Sequence, residues 1–356
     1  MDSIMFCVLC GGPFDLEDHI YRIGPQNPAY QWLYDVRVLG TFSALQSSRL
    51  AGVLEIPENS SNDDKVFLSA VTSWTEPDTV PFYLGNTMYE VLTDDEDGHL
   101  LFPLHSACID IGCRMIKSKE DRRPLANFSS PLARLYHMLR LQFLHQKYFG
   151  GLIGNDLLGL QTDYAGYGPR SALAVDVLGW WGNSHEKFLT DPFNVGTLQW
   201  VFNVVRDTPP PRGTPSSIGA PDREPAALEK LPPELLDQIL GYLHPWSVID
   251  LHYTSRMLLH RIPLDESFWS THLKDGTLLP HIWELEDIDL KTYERHRKKD
   301  HPTFRVQCED LCKAFFNKDI PLCNRDHRFD EVPPGYWNRC RIWNIVQELC
   351  IASAEL

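Results

Sequence analysis

The sequence predicts an α+β chain: a mixed N-terminal block, a set of short helices, and a helical C-terminal region. Three observations carry this. The first 206 residues mix short runs rich in β-branched and aromatic residues with one long amphipathic stretch. A proline-rich break, "DTPPPRGTPSSIGAPDREPAA", follows. Beyond it, apolar residues recur at three- and four-residue steps.

In chain order, "VFLSAVTSW" and "PFYLGNTMYEVLT" read as strands. "SPLARLYHMLRLQFLHQKYF", Ser130 to Phe149, reads as an amphipathic helix with proline in its first turn, where a missing N–H costs nothing. "GTLQWVFNVV" reads as a short helix ahead of the break. The break lacks apolar periodicity and reads as an extended, solvated linker. "KLPPELLDQILGYLHP" begins a run of three short helices, and "FRVQCEDLCKAFFN" and "YWNRCRIWNIVQELCIA" are helical in pattern. The expected organisation is therefore an N-terminal mixed domain at 1–206, a linker at 207–227, a three-helix segment at 228–273 and a helical region at 274–356. No internal repeat at the periods of leucine-rich, propeller or helical-repeat arrays is found.

Composition narrows the function. With 43% hydrophobic and 11% aromatic residues over 356 positions, the chain can bury a sizeable core in about two domains. Its net charge is −15, and neither half is basic. Nucleic acid and anionic membranes both demand clustered positive charge, so neither is an expected partner. "RHRKK", Arg295 to Lys299, is either a solvated helix face or a nuclear address. No leader resembling a signal peptide and no apolar run of about 18 residues is found, so the expected location is intracellular, cytoplasm or nucleus. The Asn-x-Ser matches at Asn59 and Asn127 are then idle. Nine cysteines in such a chain suggest thiols or metal ligands rather than disulfides.

The helix from Lys230 to Pro245 has more apolar surface than one core needs. Pro232 and Pro233 suit a helix start, and Glu234 suits its dipole. At about 100° per residue, Leu231, Leu235, Leu236, Ile239, Leu240 and Leu243 cover an arc of roughly 180°, wider than an ordinary stripe. Half can meet the two following helices, "PWSVIDLHYTSRMLLHRI" and "LDESFWSTHL", and half is left for a partner. Leu231, Pro232, Glu234, Leu235, Ile239, Leu240, Leu243, Pro245, Val248, Leu251, Ser255, Arg256 and Trp269 together resemble an F-box, whose pattern opens on Leu-Pro-x-Glu and closes near a Trp. The resemblance covers about 45 residues and implies that 228–273 is a three-helix F-box. It also implies docking of a Skp-type adaptor and, through it, a cullin–RING ubiquitin ligase. The residues it assigns to that contact are Leu231, Pro232, Glu234, Leu235, Leu236, Ile239, Leu240, Leu243, Val248, Leu251 and Trp269.

Near the N-terminus, "CVLCGGPF" has the form of a metal knuckle: Cys7 and Cys10 can point at one centre, with glycines that let the chain turn beneath them. "FPLHSACIDIGC" supplies His105 and Cys108 at the spacing of a helix start, completing a Cys₃His set for structural zinc. Buried free thiols with a core histidine are an alternative. A thioredoxin-type redox pair is another, without its usual sequence surroundings. These two elements are similar to the N-terminal region of a group of filamentous-fungal F-box proteins, with Leu104 where an aromatic is common and Ile109 where that group has Trp. Cys308, Cys312, Cys323 and His327 form a second four-ligand set, although Cys308 and Cys312 also fit an ordinary core stripe.

Other motifs carry less. "TDDEDGHL", Thr93 to Leu100, lacks the bidentate Glu of a calcium loop and reads as an acidic turn. "GGLIGND", Gly150 to Asp156, lacks the spacing and preceding strand of a phosphate loop. Trp180 and Trp181, beside His185, Glu186 and Asp191, read as core or interface aromatics rather than pocket walls. The expected function is that of a non-catalytic substrate-recognition subunit of an SCF-type (Skp–cullin–F-box) ubiquitin ligase. An F-box scaffold or regulator acting outside a cullin ligase is the alternative. The protein target is not written in the sequence.

Overall fold

The computed structural model describes residues 7–14, 28–52, 66–72, 81–122, 130–145, 186–207, 226–286, 308–316 and 332–355. It combines helices with two small antiparallel sheets, the α+β class expected. The first sheet has β1 (Val36–Thr41) at its centre, between β3 (Val66–Leu68) and β6 (Phe102–His105). Val36, Val38 and Leu39 of β1 are all buried, as a central strand covered on its faces requires. Thr41 ends the strand and caps α1 (Phe42–Ser47), its hydroxyl accepting from Ala44 N at 3.2 Å. The second sheet joins β2 (Arg49–Ala51) to the hairpin β4 (Pro81–Leu84) and β5 (Thr87–Glu90), so "PFYLGNTMYEVLT" is two strands around a two-residue turn.

β6 runs directly into α2 (Ser106–Arg122), and α3 (Pro131–His145) packs beside it. Ser130 caps α3 by accepting from Ala133 N at 3.2 Å. Short α4 (Glu186–Leu189) and then α5 (Gln199–Asp207) precede the proline-rich break, of which 208–225 lie outside the described residues.

Between 226 and 274 there are four helices where periodicity indicated three: α6 (Pro233–Gly241), α7 (Pro245–Thr254), α8 (Arg256–Arg261) and α9 (Glu266–Lys274). The middle helix divides at Ser255. That residue is extended, and its hydroxyl accepts from Leu258 N at 3.1 Å, starting a new helix. Leu236, Val248, Leu258 and Ile262 form a small core among these helices. α10 (Cys308–Phe316) and the long C-terminal α11 (Pro334–Glu355) complete the chain.

The hydrophobic cores cross the divisions read from the sequence. Trp337, Ile342, Trp343, Val346 and Leu349 of α11 lie in one core with β1, β6, α2 and α3. A second core unites Trp200, Val201 and Phe202 of α5 with Trp269 and Leu273 of α9, Leu311 and Phe315 of α10, and Tyr336 of α11. The start of α11 sits against the loop after α4. Asn338 Nδ2 donates to Thr190 O at 2.8 Å, and Arg339 Nε to Pro192 O at 2.9 Å. Gly335 permits this approach, since a Cβ there would lie 2.2 Å from Asn194 O. Arg339 also spans to Glu284, with its two nitrogens 2.6 and 2.8 Å from the carboxylate, and lies 3.6 Å from the centre of the Trp283 ring.

Candidate functional site

The four predicted ligands converge. Cys7, Cys10, His105 and Cys108 are all fully buried, and their ligand atoms lie within 4.8 Å of one another. Cys7 and Cys10 belong to a tight turn: Gly11 N donates to Cys7 O at 2.8 Å, and Cys7 N to Gly12 O at 2.9 Å. Gly11 adopts φ of 65°, a left-handed conformation that costs glycine little. Gly12 N then donates to Cys10 Sγ at 3.3 Å, the N–H to sulfur contact the knuckle sequence implies. His105 closes β6 and Cys108 occupies the first turn of α2, so the strand–helix junction delivers both to the knuckle.

Secondary contacts fix the imidazole. His105 Nε2 donates to Pro13 O at 3.0 Å, which leaves the Nδ1 lone pair facing Cys10 Sγ at 3.2 Å and Cys108 Sγ at 4.0 Å. Phe14 and Trp32 pack edge-on to the ring, with centroids 5.0 and 4.8 Å away. Trp32 is itself held by its Nε1 donating to Leu189 O at 2.8 Å.

Burial and mutual contact shift the proton affinities of the group. Burial pushes the Cys10 thiol up, but hydrogen bonds from the Cys108 and Cys7 thiols, with His105 beside them, outweigh it and hold Cys10 well below the ordinary range. Burial pushes Cys108 up, and its sulfur neighbours add to that. Burial also disfavours a charged His105, yet contact with the Cys10 and Cys7 sulfurs raises it to about 10. Three cysteine sulfurs and an imidazole are a donor set that suits a divalent metal, which would take the thiolates and the Nδ1 lone pair. Bond lengths of about 2.0–2.3 Å place tetrahedral ligand atoms roughly 3.5–3.8 Å apart, close to the spacing present. The group fits a metal ion.

The predicted partner-binding residues separate into two sets. Leu235, Ile239 and Leu243 are 47%, 36% and 37% exposed, whereas Leu236, one residue from Leu235, is 1% exposed. Pro232 and Glu234 are exposed, and Leu231, Leu240 and Leu251 are half-buried. Val248 is buried with Leu236, and Trp269 is buried in the second core, so both act as core rather than surface. Sequence reasoning missed Tyr242, 91% exposed beside Leu243, although an aromatic just after the helix and before "LHP" was a readable signal. The loop leading into α6 is tied down by Arg261, whose guanidinium donates to the carbonyls of Glu229 and Leu231.

Of the weaker motifs, the acidic turn and the Cys308–Cys312 pair lie among the described residues. In "TDDEDGHL", Asp95 Oδ1 accepts from the backbone of Asp97 and His99, and Arg140 donates to the carbonyls of Asp97 and Gly98, so the acidic turn is a protein-bonded loop. Cys308, Leu311, Cys312 and Phe315 form the buried stripe of α10. Burial and Glu266 push Cys308 up to about 12, and burial likewise raises Cys312. Cys323, His327, 295–299, 150–156, Trp180 and Trp181 lie outside the described residues. Among the described residues no helix is long and apolar enough to cross a membrane. No family model, curated protein or solved structure matches the chain.

Proposed function

We propose that the chain is the substrate-recognition subunit of an SCF-type ubiquitin ligase, with 228–273 acting as an F-box. The observation that carries this is the division of α6: Leu236 turns into a small core while Leu235, Ile239, Tyr242 and Leu243 stay exposed on one side. An apolar helix face of this kind suits a hydrophobic groove on a partner. The resemblance of the same residues to the F-box pattern names that partner as a Skp-type adaptor, joined in turn by a cullin. Leu235, Ile239, Tyr242 and Leu243 make the contact, with Leu231, Pro232 and Glu234 at its edge. Leu236 and Val248 shape it from beneath, and Trp269 holds α9 in the second core.

In this reading the chain transfers nothing itself. It raises the effective concentration of a bound target's lysines at the ligase. The Cys7, Cys10, His105 and Cys108 group holds structural zinc, which fixes the knuckle to the β6–α2 junction. Three thiolates and one imidazole leave no open position for catalysis.

The test is co-purification of the full chain with a purified Skp-type adaptor and cullin. A ternary complex is expected. Adaptor binding that excludes cullin would replace the ligase role with that of a scaffold, and no adaptor binding would overturn the F-box reading.

A further inference from the structure

α11 carries a fully buried arginine into the N-terminal core. Arg341 is 1% exposed, in a helix otherwise packed through Trp337, Ile342 and Trp343. Withdrawing a guanidinium from water is costly unless hydrogen bonds and opposite charge compensate. Its hydrogen bonds are in place. One terminal nitrogen donates to Cys10 O at 2.7 Å, the other to Asn338 Oδ1 at 2.7 Å, and Nε to the same oxygen at 3.1 Å. Asn338 is held in turn through Nδ2 to Thr190 O at 2.8 Å. The guanidinium carbon lies 5.1 Å from the Phe188 ring centre.

The compensating charge lies in the cysteine group. A zinc ion with three thiolates and a neutral imidazole carries one net negative charge, itself costly to bury. One guanidinium cancels it. The hydrogen bond that delivers this charge joins residues 331 apart in sequence, the knuckle at one end of the chain and α11 at the other.

We propose that Arg341 is the buried charge partner of the metal centre, and that the loaded metal thereby latches α11 onto the N-terminal knuckle. This rests on the zinc reading above. Arg341 is a positioning residue: it touches the backbone of a ligand and does not bind the ion. Metal occupancy and the order of α11 then rise and fall together, while the exposed face of α6, built on a separate small core, does not follow them.

The experiment compares the full chain with Arg341→Met and Arg341→Lys. Zinc affinity is read by chelator competition, and amide hydrogen exchange is followed over α11 and α6 with and without zinc. Arg341→Met should bind zinc about 10- to 100-fold more weakly, the range for lost outer contacts. Arg341→Lys, which keeps the charge and loses the fork, should recover part of the loss. Zinc removal from the unaltered chain should speed exchange in α11 far more than in α6. This last comparison stands even where Arg341→Met does not fold. Equal zinc affinity in Arg341→Met and the unaltered chain, or α11 exchange indifferent to zinc, overturns the latch while leaving the zinc reading intact. An unaltered chain that binds no zinc overturns both.

Discussion

Leu235 and Leu236 are adjacent on α6 and differ in surroundings, 47% against 1% exposed. Leu236 packs in the small core with Val248, Leu258 and Ile262. Truncating it to alanine removes buried carbons and leaves a cavity, a loss of about 3 kcal/mol within the usual range of roughly 2–5. Truncating Leu235 gives up only the half of its surface already covered, under about 1 kcal/mol from full-burial values of about 1.5–3. The chain has several cores, so one global melting curve is a poor reporter. Amide hydrogen exchange across α6 to α9 reads the local effect. At about 1.4 kcal/mol per tenfold, Leu236→Ala should speed exchange there roughly 100-fold and Leu235→Ala less than about 5-fold. Equal acceleration by the two variants would refute the reasoning, because the exposed arc would then be internal core.

Three further outcomes follow from the same geometry. The purified chain should hold one zinc ion, and Cys10→Ser should lose it; elemental analysis reads both, and an unaltered chain that is metal-free yet fully folded contradicts the centre. Gly335→Ala should speed amide exchange at the start of α11 by the equivalent of about 1–3 kcal/mol, because the new Cβ collides with the carbonyl oxygens of Asn194 and Asp191. Unchanged exchange there contradicts the docking of α11. Glu284→Gln should cost about 1–3 kcal/mol, since it removes the charge facing Arg339, whose side chain is fully buried, from a carboxylate that is itself 24% exposed; amide exchange at the start of α11 measures this, and unchanged exchange would mean the charge is dispensable.

Much of the candidate site was legible in the sequence because its chemistry is local. Cys7 and Cys10 lie three residues apart, as do His105 and Cys108, and each pair announces a half-site by ligand type. The wide arc of α6 was likewise legible, because helical periodicity places each apolar side chain on a face. Which half of the arc meets the core was not, since it depends on where Val248, Leu258 and Ile262 are carried by later helices. The break at Ser255 escaped periodicity because the apolar pattern continues across it while a single capping hydroxyl interrupts the backbone. Arg341 gave no signal of burial: an arginine in an amphipathic helix reads as solvated until the partner face is known, and here that face belongs to the first residues of the chain. The joining of α11 to the N-terminal core was hidden for the same reason, because periodicity says that a face is buried and not against what.

Adaptor binding by the exposed α6 face tests the central claim most directly. The measurement is calorimetric titration of a purified Skp-type adaptor into the full chain and into the Leu235→Asp, Ile239→Asp double variant. Covering the exposed parts of these two side chains is worth about 1 kcal/mol each, and two carboxylates in an apolar groove add a desolvation penalty of several more. The account predicts a complex with the unaltered chain at a Kd of about 1 μM or tighter, weakened at least ~100-fold in the variant, with the exchange profile of α11 unchanged. Failure of the unaltered chain to bind, or equal binding by both proteins, would contradict it.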